Sequence, residues 1–218
     1  MSLDFDSARL PNKSLTPEHH EWRSQLRRFF DREVIPYAAQ WDEDGHVPDE
    51  MWPKAAAVGM LGLGYPEEFG GVSEGIDLWY SIILNEEMAR VAVGGVGATL
   101  MVHGIGLPPV INFGSDEVKQ MVAPPVLAGT KRISLAVTEP GAGSDVAHLT
   151  TTARLDGDHY VVNGSKTYIT GGMNANWFTT AVRTGGEGAS GVSTLLIPAD
   201  TEGVSRTALD KKQGWWCS

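Results

Sequence analysis

Apolar residues recur at helical spacing through the first part of the chain. Thr16, Pro17 and Glu18 read as an N-cap, a first helical position and a first-turn acid. Trp22, Leu26, Phe29, Phe30 and Val34 then fall on one face before Pro36 breaks the pattern. The spacing predicts further helices from about Asp49, with Gly59 as a stop, and from about Asp77 through Ile82, Ile83 and Met88. Ser115 is placed to cap another, running through Val118 and Val122 to Pro124. Between them, Tyr65-Pro-Glu-Glu-Phe-Gly-Gly reads as a loop. The most apolar stretch, Val91 to Val110, holds several glycines, two prolines and His103, and reads as a buried, glycine-loosened helix rather than a membrane span.

Near Thr130 the period shifts from about four to two. Arg132-Ile-Ser-Leu-Ala-Val-Thr is a strand-like run, and Leu149 to Leu155 and His159 to Val162 alternate around Asp156-Gly157, a hairpin signal. Tyr168-Ile-Thr, Trp177 to Arg183 and Val192 to Pro198 continue the strand pattern between glycine-rich turns. The chain therefore reads as α+β, a helical block over residues 1–130 followed by an antiparallel β block over 131–218.

Composition narrows the partners. Seventeen Lys and Arg against 27 Asp and Glu leave a net charge of −10, the wrong sign for a nucleic-acid interface. An anionic ligand would have to be caught by local backbone N–H groups against that field. The single cysteine, Cys217, offers no internal disulfide and no thiolate zinc site. With no secretory pattern at the start, a reducing cytoplasm is the expected compartment.

Three familiar motifs fail. Gly141-Ala-Gly143-Ser-Asp-Val and Gly95-Val-Gly97-Ala-Thr-Leu each lack the third glycine of a dinucleotide fingerprint, and Ser165-Lys166-Thr167 follows only a lone Gly164 rather than a phosphate loop. Gly71-Val-Ser73-Glu-Gly75 matches a nucleophile elbow but follows Pro66-Glu-Glu-Phe-Gly, not a strand. His19 and His20, adjacent on a helix, point in different directions and are expected to face solvent rather than a metal. Met101 and His103 are expected in the core.

Two segments carry more. In Leu135-Ala-Val-Thr-Glu-Pro-Gly-Ala-Gly-Ser144-Asp145 a strand runs into a glycine turn, which is either an ordinary tight loop or a concavity of N–H groups suited to a phosphate. In Asn163-Gly-Ser-Lys-Thr-Tyr168-Ile169-Thr170, Tyr168 and Thr170 flank Ile169 and share one strand face, which is either a routine half-buried strand or a platform for a flat ring.

Together these two segments closely resemble the middle-domain signature of the acyl-CoA dehydrogenase family. Met60-Leu-Gly-Leu-Gly-Tyr-Pro-Glu-Glu-Phe-Gly-Gly, Glu86-Glu-Met-Ala-Arg and Phe113-Gly-Ser-Asp-Glu-Val-Lys-Gln extend the resemblance from about Thr16 to Ser218. It implies an all-α N-terminal domain, an incomplete β-barrel middle domain and, in the family, a C-terminal four-helix bundle. FAD is the implied cofactor. Leu135, Val137 and Thr138 would meet the edge of its isoalloxazine, Gly143 and Ser144 its pyrophosphate, and Tyr168, Ile169 and Thr170 one flavin face. Ser144 would also touch the acyl-CoA. The chain departs from many members in having Leu135 for an aromatic residue and Tyr168 for Trp.

The implied reaction is α,β-dehydrogenation of a fatty acyl-CoA to the trans-2-enoyl-CoA, with electrons leaving to an electron-transferring flavoprotein from a homo-oligomer. The family's catalytic glutamate belongs to the bundle, so no residue among the 218 is expected to be the base, and the chain alone is expected to turn over little. An oxygen-using acyl-CoA oxidase or flavin monooxygenase of the same fold, and an inactive flavin-binding or assembly chain, are the alternatives.

Overall fold

The computed structural model describes residues 10–209 and 212–218. They fall into two units, one of residues 10–101, 123–130 and 212–218, the other of 102–122 and 131–209.

The first unit is helical. α1 (Pro17–Phe29) continues through a π turn (Phe30–Val34), and Trp22, Leu26, Phe29, Phe30 and Val34 are all buried, as their spacing requires. Burial of each such side chain contributes about 1.5–3 kcal/mol, which is what fixes the orientation of α1. α2 (Ala38–Asp44), α3 (Met51–Ala57), α4 (Leu78–Ala89) and α5 (Gly94–Leu100) pack around the same core. α2 has no counterpart in the sequence reading, because seven residues that bury only Ala38 and Trp41 are too short to show a period.

His19 does not face solvent as expected; it is 3% exposed. Its Nδ1 accepts from the Thr16 backbone N–H at 3.0 Å, which leaves Nε2 to donate to Asp77 Oδ1 at 2.9 Å. The same Asp77 oxygen caps α4 by accepting from the Trp79 N–H at 2.9 Å. One imidazole thus joins the N-termini of α1 and α4, and Tyr80 packs on its ring at 4.6 Å. His20 is exposed.

The stretch Val91 to Val110 is not one helix. It divides into α5, α6 (His103–Gly106) and α7 (Pro108–Phe113), because glycines weaken the run and Pro108-Pro109 cannot supply the N–H groups that continuation needs. No single helix among the described residues is long and apolar enough to cross a membrane. α8 (Asp116–Leu127) passes beyond its expected end through Pro124 and Pro125. Their carbonyls still accept from Ala128 and Thr130, each at 2.9 Å, and Val122, Ala123, Val126 and Leu127 are buried.

The second unit carries the sheet: β1 (Ile133–Ala136), β2 (Thr152–Asp156), β3 (His159–Asn163), β4 (Trp177–Arg183) and β5 (Val192–Pro198). The order is β1-β4-β2-β3, with β5 also paired to β4. β2 and β3 form the expected hairpin, Asp156 opposite His159, with Gly157 at φ +66° supplying the left-handed turn. β4 and β5 are antiparallel along their whole length. The pairing is mixed, however: β1 runs parallel to β4, Ile133 opposite Trp177 through Ala136 opposite Thr180, an arrangement open to strands joined by a long connection. The sheet is not closed into a barrel among the described residues.

Candidate functional site

The residues singled out in the sequence lie at the end of β1 and in two loops of the sheet unit. Leu135 belongs to β1, and Val137 and Thr138 continue it. Each of the three is half-buried. The chain then makes a tight reversal in which Glu139 and Ala142 exchange N–H···O bonds of 2.8 and 3.2 Å. Gly143 and Ser144 follow in an exposed loop. A Cβ added at Gly143 would meet Thr138 Cγ2 at 3.6 Å, so Thr138 borders that loop, and one added at Gly141 would meet nothing within 4 Å.

Tyr168, Ile169 and Thr170 are not a strand, contrary to the expectation from their composition. Tyr168 sits at φ +56°, a left-handed conformation that throws the chain out of the extended path. The segment nevertheless lies along β1. The Thr167 N–H donates to the Thr138 carbonyl at 2.9 Å, Lys166 Nζ to the Val137 carbonyl at 2.9 Å, and Ser134 Oγ to the Thr170 carbonyl at 2.8 Å. From Ser134 opposite Thr170 to Thr138 opposite Thr167, residues 134–138 and 166–170 run antiparallel side by side. All six candidate residues of the two segments are brought together. Tyr168 is 73% exposed at this edge. Arg206 Nη1 fixes the chain beyond it, donating to the Met173 and Ala175 carbonyls at 2.9 and 3.1 Å.

Sequence reading missed the group that joins these pieces. Glu139, 5% exposed, accepts at Oε2 from the Thr150 N–H (2.6 Å) and hydroxyl (2.7 Å), and at Oε1 from the Thr151 N–H (2.8 Å) and Lys166 Nζ (2.9 Å). Burial alone would push its carboxyl up, but the bonds from Thr151, Thr150 and Lys166 outweigh that and hold it well below the ordinary carboxylate range. The only signal in the sequence is a charged residue ending an apolar strand and a lysine 27 positions on.

Ser73 of the Gly-x-Ser-x-Gly match follows a 3₁₀ turn (Glu67–Phe69) rather than a strand, so the strained presentation a nucleophile elbow requires is absent. No cluster of three or more His, Cys, Asp or Glu suited to a metal occurs among the described residues.

Two family models match the chain: acyl-CoA dehydrogenase, N-terminal domain, over residues 16–130, and acyl-CoA dehydrogenase, middle domain, over residues 134–215. Among solved structures, a probable acyl-CoA dehydrogenase from Mycobacterium abscessus is 47% identical, with a TM-score of 0.86 over 93% of this chain and 54% of that one. An acyl-CoA dehydrogenase complexed with FAD from Bacillus anthracis is 31% identical, with a TM-score of 0.83 over 95% of this chain and 35% of its own. The curated probable acyl-CoA dehydrogenase FadE25 of Mycobacterium tuberculosis is 36% identical over 213 residues, 96% of this chain and 52% of that protein. The chain spans about half the length of the curated relatives it matches. Matched in both of its halves by these family models, the chain belongs to the acyl-CoA dehydrogenase family.

Proposed function

We propose that this chain is the flavin-binding part of an FAD-dependent acyl-CoA dehydrogenase, with residues 1–130 as its helical and 131–218 as its barrel domain. The observation that carries the reading is the side-by-side course of residues 134–138 and 166–170, which sets the exposed Tyr168 one residue from the Thr167 tie to the Thr138 carbonyl. A large ring held out at a positive φ is a costly arrangement that a packing role does not explain.

The residues present suit the group. Leu135, Val137 and Thr138 would take the isoalloxazine edge, with the Thr138 hydroxyl as a hydrogen-bonding partner. Tyr168 and Ile169 would cover one face and keep water from it, with the Thr170 hydroxyl near N5. Gly143 and Ser144 would hold the pyrophosphate, and the lack of a Cβ at Gly143 lets backbone approach an anion that the overall charge repels. Ser144 would also touch the acyl-CoA. When bound, FAD supplies the two-electron acceptor for the α,β-dehydrogenation of a fatty acyl-CoA to the trans-2-enoyl-CoA.

No residue among the 218 is assigned as the base for the α-proton; the resemblance places it in a helical bundle. By the same reasoning the complete enzyme forms a homo-oligomer and passes electrons to an electron-transferring flavoprotein, and its single cysteine suits a reducing cytoplasm. The test is an absorption spectrum of the purified chain after FAD is added and the excess removed. Retained oxidised-flavin bands, unbleached by acyl-CoA under anaerobic conditions, are expected. Absence of bound flavin overturns the binding role, and bleaching by an acyl-CoA overturns the inactivity of the isolated chain.

A further inference from the structure

We propose that Glu139 and Lys166 are the positioning pair of this site: their ion pair fixes the register in which residues 134–138 and 166–170 receive the isoalloxazine, an inference that rests on the flavin reading above.

A buried ion pair is a poor way to gain stability, since well-packed apolar residues of the same volume serve as well or better; what it supplies is a unique partner for each charge. Here the side chains are 3% and 10% exposed, and neither acts alone. Lys166 divides its N–H groups between the Glu139 carboxylate and the Val137 carbonyl, both at 2.9 Å. Glu139 meanwhile draws in Thr150 and Thr151 from the chain before β2. Three segments distant in sequence thus converge on one pair of charges.

Register matters at this edge because Tyr168 to Thr170 lack the ladder of a regular strand. A slip of one residue would shift Tyr168 and Thr170 along β1's continuation and carry Lys166 away from Glu139, leaving both charges buried and unmatched. The pair therefore penalises every register but this one. It touches no reacting atom; it acts through Val137, Thr138 and Tyr168.

The experiment compares the 218-residue chain with Glu139→Gln, Lys166→Met, Lys166→Arg and, as a control, Val182→Ala, a fully buried β4 residue that belongs to neither segment. FAD affinity is read by fluorescence titration, the Thr167 amide by hydrogen exchange, and stability by thermal midpoint. Glu139→Gln and Lys166→Met are expected to weaken FAD binding by about tenfold and to speed Thr167 exchange by about tenfold, with Lys166→Arg restoring both to within about threefold. Val182→Ala is expected to lower the midpoint while leaving both within about threefold of wild type. Wild-type affinity in the two pair variants, or an equal loss in the Val182 control, overturns the proposal. A wild-type chain that takes no FAD overturns the flavin reading instead, and the register role then stands or falls on the Thr167 exchange.

Discussion

Arg27 holds Glu87 through both carboxylate oxygens, Nε to Oε2 at 3.0 Å and Nη2 to Oε1 at 2.9 Å. Arg23 reaches the same carboxylate at 3.0 Å and Arg90 at 3.3 Å, and the Glu87 side chain is fully buried. Because Arg23 and Arg27 lie on α1 and Glu87 on α4, the cluster locks those helices together. Glu87→Ala removes the shared acceptor from three guanidinium groups, and a loss of about 3–5 kcal/mol is expected, read as a lower urea midpoint. A loss within experimental error would show that the helices hold by packing alone.

The same carboxylate gives the fold an acid limit. Burial pushes the Glu87 carboxyl up, but its bonds to Arg27 and Arg23 prevail and hold it below its ordinary 4.5. A carboxyl lowered in the folded state contributes stability that is fully present above 4.5 and is lost as pH falls through the lower folded value. Glu139 acts in the same direction. Glu87→Gln should accordingly melt with a shallower dependence on pH below 4.5 than wild type, and identical slopes would rule the linkage out.

Gly164 sits at φ +155°, and a Cβ there would press on Thr151, with Thr151 Cα at 2.6 Å. Gly164→Ala is expected to cost about 1–3 kcal/mol through overpacking. Denaturant unfolding checks the cost. Stability equal to wild type would mean that the backbone of Thr151 yields.

Tyr168→Gly separates stability from binding. The substitution relieves a left-handed conformation that costs an L residue about 1–2 kcal/mol and adds roughly 0.5–1 kcal/mol of glycine's chain entropy, so the thermal midpoint should hold or rise slightly. Loss of the ring should weaken FAD binding by about 0.5–1.5 kcal/mol, roughly two- to tenfold. A fall in midpoint with unchanged affinity would make Tyr168 a packing residue.

Cys217 is 5% exposed, and burial, with Asp42 alongside, pushes its thiol up to about 12. Since the thiolate is the reactive form, alkylation by iodoacetamide at neutral pH should be on the order of 100-fold slower in the native chain than in denaturant. Equal rates would place the thiol at the surface.

Much of the helical unit was legible because its signals are local. The Thr16-Pro17 start and the buried face of α1 are written within one turn of each other, and Asp77 caps α4 as its position suggests. What failed was long-range. His19 looked like a surface residue until Asp77, 58 positions away, became its partner. Tyr168 looked like a strand residue because β propensity records side-chain shape, whereas the backbone here obeys ties from Lys166 and Thr167 to β1's continuation. At the candidate site, Leu135, Val137, Thr138, Gly143 and Ser144 are proposed through family resemblance, while Glu139 and Lys166 become visible only as a pair across 27 residues.

The Cys217 backbone bears on how the molecule is made. Its N–H donates to Asp42 at 3.2 Å and its carbonyl accepts from the Thr99 hydroxyl at 3.0 Å, spanning 175 and 118 positions. A nascent chain emerging at about 5–20 residues per second has all of α1 to α5 outside the ribosome well before that residue appears. The helical unit must therefore wait, incomplete, through the synthesis of the whole sheet, and its last contacts are made only after residue 217 is released from the exit tunnel.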